Sequence, residues 1–276
     1  MRTIIAFNDN TPEAENAMEF AINMAAKVAA EVWVLNLCGM PRKKEMETVS
    51  AVGDILSVKA NDVLAVADYL PYQFAADNTG VNIVNIDAAR YTEKEICEMV
   101  IRERVWLMVK GVETHVTHET IDQVNVQSIL NRVASPLLLI PCDYLARDFK
   151  NITYAVDMRY CRVNVTRFLA ELAEAYNANL IIEHLSASGL PPLDDDYAMS
   201  LFCDAISSKI KYENVYFNNI KERNLEVAID VMIHSLHADM LALVNHRFHF
   251  EELFGMAIKN VLPGHIEVPV MVFPLQ

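Results

Sequence analysis

Two aspartates and two pairs of histidines carry the chemistry this chain could do. Asp9 and Asp157 each follow a short apolar run, 148 residues apart. A carboxylate at the end of a buried strand can receive the donor groups of a ligand. It can equally cap the helix that follows, since Asp is a preferred cap residue, and capping is the plainer reading. His115 with His118, and His246 with His249, repeat one His-x-x-His spacing late in each half. That spacing can set two imidazoles on one side of a helical turn, where a metal could bind with help from Glu113, Glu119 or Glu251. Two histidines alone are a weak zinc signature, however. Solvated loop histidines, or a bond from His246 to a carbonyl at a strand end, are the simpler expectation.

Two charged runs have bland explanations. Asp194-Asp195-Asp196 follows Pro191-Pro192-Leu193, as an acid-rich, capped helix start would. Arg42-Lys43-Lys44 reads as a solvated loop, with a phosphate contact as the lesser alternative. No nucleophile elbow, P-loop, His-Glu-x-x-His or dinucleotide fingerprint is present, so no enzyme activity is expected, though a weak ATPase stays open. The five cysteines are odd in number and lack C-x-x-C spacing. Met1-Arg2 leads directly into a strand, so no signal peptide is expected, and the thiols read as reduced and cytoplasmic.

The elements that position these groups are written twice. Ile4-Ile5-Ala6-Phe7-Asn8-Asp9 and Ile152-Thr153-Tyr154-Ala155-Val156-Asp157 open two stretches that align without a gap. Asn16 falls on Asn164, Phe20 on Phe168, Ala30 on Ala178 and Leu37 on Leu185. Such a repeat sets the domain plan. Apolar runs alternate with helical patterns, which implies βαβ units and a parallel sheet. Strands are expected near 3–8, 32–37, 81–86, 105–110 and 137–141, then 151–156, 179–185, 214–219, 239–244 and 269–273. Helices are expected over 12–29, 55–76, 92–103 and 120–133, then 160–177, 194–211, 222–237 and 250–262. Ala17, Phe20, Ala21, Met24 and Val28 form a helical stripe, and Val165, Phe168, Leu169, Leu172 and Tyr176 form its counterpart. Both halves close on Pro-bounded apolar strands, Ser135–Pro141 and Val268–Pro274. Prolines at such positions mark a sheet edge, and an apolar edge needs a cover. Each closing strand is expected to cover the other, antiparallel, about a pseudo-twofold axis. The division is then 1–141, a linker 142–150, and 151–276.

In this order, doubled, the motifs resemble those of the universal stress proteins in their two-domain form. The opening strand-Asp-turn-helix, the segment Ala238-Asp239-Met240-Leu241-Ala242-Leu243-Val244 and the closing strands carry the resemblance. It implies two tandem α/β domains, each a five-stranded mainly parallel sheet of the Rossmann-like, adenine nucleotide alpha hydrolase-like kind. It also implies that Asp9 and Asp157 match an adenosine-side aspartate. ATP binders of that family carry a Gly-x-x-Gly-x9-Gly-Ser/Thr loop after the fourth strand, with phosphates held by backbone and a helix N-terminus. This chain departs from that loop in both halves. Val244-Asn245-His246-Arg247 stands where two glycines belong, and Gly255 is followed by Met256. Gly111 matches one glycine of the first half, but Gln127-Ser128 replaces Gly-Ser. The chain has seven glycines, where average usage would give roughly 19. The ligand-crevice candidates are therefore Asp9, Asp157, Gly111, Asn245, His246 and Gly255.

The net charge is −14, shared between residues 1–145 (12 bases, 20 acids) and 146–276 (11 bases, 17 acids). Such a chain repels nucleic acid and anionic membranes, and no run approaches the roughly 20 apolar residues of a membrane span. The expectation is a non-catalytic, stress-associated binding or regulatory protein without the usual ATP site, acting on an unidentified protein partner or small ligand. Its internal pseudo-dimer would run through 137–141 and 269–273, and further homodimerisation stays open. The alternative is a nucleotide binder using one atypical crevice. A metal-binding module built on the paired histidines is the remotest reading.

Overall fold

A computed structural model describes residues 1–38, 79–113, 124–187, 189–246, 248–255, 258, 262–263 and 265–275. The basic cluster 42–44, the expected helix 55–76, His115, His118 and Glu119 lie outside them.

Ten strands make one sheet. They are β1 (Arg2–Asn8), β2 (Ala30–Asn36), β3 (Ile83–Asp87), β4 (Leu107–Val112), β5 (Leu137–Pro141), β6 (Asn151–Val156), β7 (Asn179–Leu185), β8 (Val215–Ile220), β9 (Met240–Val244) and β10 (Val270–Phe273). Their order is β3-β2-β1-β4-β5-β10-β9-β6-β7-β8. Every pairing is parallel except β5 with β10. There Leu138 faces Met271, its own counterpart in the closing repeat, and Leu137 and Leu139 face Val272 and Val270. The two proline-bounded edges thus cover each other.

The described helices are α1 (Pro12–Val28), α2 (Glu93–Arg102), α3 (Val126–Leu130), α4 (Val163–Tyr176), α5 (Asp195–Leu201), α6 (Leu225–Asp230) and α7 (Phe248–Phe254). Thr11 caps α1 through its hydroxyl, with Pro12 in the first turn. Thr92 and Glu95 form a capping box on α2. α1 and α4 end on Ala29 and Asn177, both at φ 53° and 148 residues apart. The repeat therefore extends to backbone geometry. Asp194 caps α5 by accepting from the amides of Asp196 and Tyr197, as the acid-rich start suggested.

Five expected helices differ: the one over 120–133 is helical among the described residues only at Val126–Leu130, the one over 250–262 runs Phe248–Phe254, and three differ in form. The helix expected from 160 starts at 163, because the Asp157 side chain first closes a 3-10 turn over Met158–Tyr160. α5 and α6 each relax into a π-helical turn, at Phe202–Ile206 and Val231–Ser235. The core lies on both faces of the sheet, and each face draws buried residues from both halves. Residues 142–150 are anchored by two buried rings, Tyr144 and Phe149. Phe149 and Tyr144 lie against Phe20 of α1, and Phe149 lies 4.8 Å from the Tyr176 ring of α4. Asn16 of α1 donates to the carbonyls of Pro141, Cys142 and Tyr144.

Candidate functional site

In each half the strand order reverses beside the first strand, which puts the candidate crevice at the carboxyl ends there. In the first half the crevice lies beyond β1 and β4. Asp9 Oδ1 accepts from the Thr11 hydroxyl at 2.7 Å and the Thr11 amide at 3.3 Å. Its Oδ2 lies 3.8 Å from Nζ of Lys110, a lysine only 4 % exposed. Asp9 is therefore not the helix cap itself. It holds Thr11, which is. Below it Asn8 donates to Asn36 at 2.8 Å, and Cys38 Sγ donates to the Asp9 carbonyl. Gly111 meets α1 rather than a loop: a Cβ built there would stand 2.0 Å from the Glu13 carbonyl oxygen. Its glycine is required by the close approach of the α1 backbone to β4.

In the second half Asp157 is buried and fully engaged. It accepts from the Arg159 guanidinium and amide, and from the Ala187 amide at 3.0 Å. Burial alone would raise its pKa, but the Arg159 guanidinium and the two amides outweigh it and hold the carboxyl below the usual range. His184, wholly buried on β7, accepts the Met158 amide at Nδ1, so its proton sits on Nε2. Burial keeps it neutral, with its pKa pushed down against the opposing charge of Asp157. His249 of α7 donates Nε2–H to the Leu185 carbonyl at 3.1 Å, and burial lowers its pKa too. Phe250 beside it is 0 % exposed. Ala155, Val156, Asp157, Tyr160, Leu243, Val244, His249 and Phe250 enclose what is left of this crevice, about 20 Å³. That is room for roughly one water.

Asn245 and His246 point elsewhere. Asn245 accepts from Gln127 Nε2 at 2.9 Å and donates to Asn131 Oδ1 at 2.8 Å. His246 Nε2 lies 3.1 Å from the same Asn131 oxygen and 3.4 Å from Gln127 Nε2, so its tautomer selects between donating to the one and accepting from the other. Gln127 completes the set by accepting the Ile258 amide. This network ties the end of β9 to α3 of the first half. It also parts the second histidine pair, since His246 faces Asn131 while His249 faces Leu185. No cluster of three or more potential metal ligands occurs among the described residues. Gly255 takes φ 71° just past α7, with its amide bonded to the Glu251 carbonyl, the left-handed helix end that glycine favours.

Sequence reasoning passed over Lys110, Glu183, His184, Asn131 and Phe250. Lys110 and the Glu183-His184 pair interrupt apolar strand runs, and that interruption was the available signal. Glu183 is 0 % exposed, and burial pushes its carboxyl pKa up despite the bond from Asn218. A larger cavity, about 980 Å³, lies away from both crevices, between residues 141–151 and the turns at 233–239 and 267–268.

No family model matches this sequence, and a search of curated proteins finds no similar one. Solved structures do resemble it. A universal stress protein of Archaeoglobus fulgidus DSM 4304 is 12% identical, with 99% of this chain and 98% of that one covered at a TM-score of 0.62. A Pseudomonas aeruginosa UCBPP-PA14 protein, provisionally assigned as a universal stress protein, is 14% identical over 99% and 93%, at 0.55. A functionally unknown P. aeruginosa PAO1 protein is 14% identical over 99% and 92%, also at 0.55. At such identity the likeness speaks for the fold: over essentially its whole length, this chain has the α/β fold of the universal stress proteins.

Proposed function

We propose that this chain is a tandem universal stress protein that works by binding and regulation rather than catalysis, and that it does not hold ATP in the usual way. The observation that carries this reading is the filled second crevice, where His249 and Phe250 leave about 20 Å³ beside Asp157. A nucleotide needs a site of several hundred Å³. The rest of the loop supports it. Asn245 and His246 serve the junction between halves, and Gly111 and Gly255 answer to a helix contact and a helix end. The β5–β10 pairing supports two units, 1–141 and 151–276, joined through 142–150 as an internal pseudo-dimer. The odd number of cysteines, with no C-x-x-C spacing, fits a reducing cytoplasm. The test is thermal unfolding with and without millimolar Mg-ATP. At 100 times Kd a ligand adds about 2.7 kcal/mol, very roughly 5–10 °C in Tm. No shift is expected, and a shift of that size overturns the reading.

A second reading, nucleotide binding in the first-half crevice, is favoured by Lys110, a buried amine at the end of β4 beside Asp9. It requires Lys110→Met to abolish whatever nucleotide binding the wild type has.

A further inference from the structure

The sheet ends on β8. Among the described strands β8 pairs only with β7, so its other side is an open edge. Natural edges are guarded by charge, proline, bulges or short length. β8 has none of these: Val-Tyr-Phe-Asn-Asn-Ile is six residues without a charge or proline, and its register with β7 is unbroken. Tyr216 stands half exposed on it.

The backbone of this edge has a definite pattern. The Leu180 amide donates to the Asn214 carbonyl, so Asn214 faces β7. Alternation then turns Tyr216, Asn218 and Ile220 inward to β7 as well. Val215, Phe217 and Asn219 aim their N–H and C=O groups outward. An antiparallel partner with a twofold axis at Phe217 sets Val215 opposite Asn219, Phe217 opposite itself, and Glu213 opposite Lys221. The strand positions among them, Val215, Phe217 and Asn219, are ones whose backbone points outward, so one register satisfies the edge of β8, with Glu213 and Lys221 flanking it. The flanking charges agree with it. Exposed Glu213 meets exposed Lys221 at both ends, and Lys221 is already steadied by Asp195 at 2.9 Å. Like charges at Lys211 and Arg223 would come opposite each other two residues further out, where strand twist carries the ends apart.

We infer that β8 pairs antiparallel with β8 of a second copy of this chain, centred on Phe217, joining two ten-stranded sheets into one. The contact is isologous and closes on itself, so it yields a dimer and not a fibre. The inference is independent of the ligand question. The connection from β2 into the opposite edge strand, β3, lies outside the described residues, and β3 carries no part of the argument.

The test is the solution mass of the full chain by sedimentation at about 100 µM, a concentration that populates even a dimer of modest affinity. Twice 31.2 kDa is expected. Amides of Val215, Phe217 and Asn219 should exchange with deuterium more slowly in the dimer than after dilution. Lys221→Glu should weaken the dimer by about tenfold or more, as should Glu213→Lys, and the double swap should restore it. Asn219→Pro removes an outward amide without touching β7 and should give a folded monomer by circular dichroism. A wild-type monomer overturns the proposal, as does a dimer indifferent to both the charge changes and the proline. If Asn219→Pro does not fold, the charge swap decides.

Discussion

Gln127 of the first half donates a hydrogen bond to Asn245 of the second, Nε2 to Oδ1 at 2.9 Å, and both side chains are buried. On the proposed function, Asn245 stands at the position of a lost phosphate loop. Here it belongs to a junction that includes Asn131 and His246. Asn245→Ala would remove two hydrogen bonds of the junction, one to Gln127 and one to Asn131, while Gln127 Nε2 and Asn131 Oδ1 still hold each other at 2.9 Å. A net hydrogen bond is worth about 0.5–1.5 kcal/mol. The expected outcome is a fall in Tm of roughly 2–4 °C for each kcal/mol lost. If Asn245 served a ligand instead, the apo protein would melt at the wild-type temperature.

Gly111 separates a packing role from a phosphate role. Its missing Cβ is what lets the Glu13 carbonyl lie against β4. Gly111→Ala should destabilise the protein by about 1–3 kcal/mol in the absence of any ligand, as overpacking does. Urea unfolding measures this as a lowered midpoint with unchanged slope. A variant as stable as the wild type would return Gly111 to the list of ligand contacts.

His184 and His249 give stability a pH dependence. Burial is the main cause in both, and each folded-state pKa lies below the ordinary 6.5. As pH falls, the unfolded chain takes the proton first, so their contribution is present above about pH 6.5 and is lost below it. Protonating His184 also sets a proton against the amide of Met158 that Nδ1 now accepts. Tm should fall between about pH 7 and pH 5.5, and His249→Gln, which can still donate to Leu185, should show a shallower fall. Equal slopes would contradict the assignment.

Glu183 acts with the opposite sign. Burial raises its pKa above the ordinary 4.5, so its favourable protonated state is lost as pH rises through the folded-state value. One oxygen accepts from Asn218, and the other has no hydrogen-bond partner among the described residues. Glu183→Gln keeps the acceptor and removes the buried charge. It should raise Tm at about pH 8 and gain progressively less as pH drops toward 5, read by calorimetry across that range. A variant less stable than wild type at pH 8 would mean the carboxylate is needed as a charge.

The strands were legible because each buried run is apolar throughout and bounded by turn residues. β5, β6 and β7 fall on the expected residues, and the closing strands pair as their prolines suggested. The helix starting at 163 was less so, because Asp157 spends its hydrogen-bonding capacity on a 3-10 turn that periodicity cannot report. The candidate site was legible only in part. The absence of glycine from Val244-Asn245-His246 was plain, but the contacts those residues make were not. Gln127, Asn131 and Asn245 meet across more than 110 residues of sequence, and no local pattern links them. Phe250 looked like any aromatic on a helix, and only the packing places it in the crevice.

On the proposed function, the second crevice is closed by the chain itself and ATP is not held in the usual way. Titration calorimetry of Mg-ATP into the full chain tests it most directly. The account expects no saturable heat up to about millimolar nucleotide, the range where binding is worth only about 4 kcal/mol. Stoichiometric binding with a micromolar Kd would contradict it.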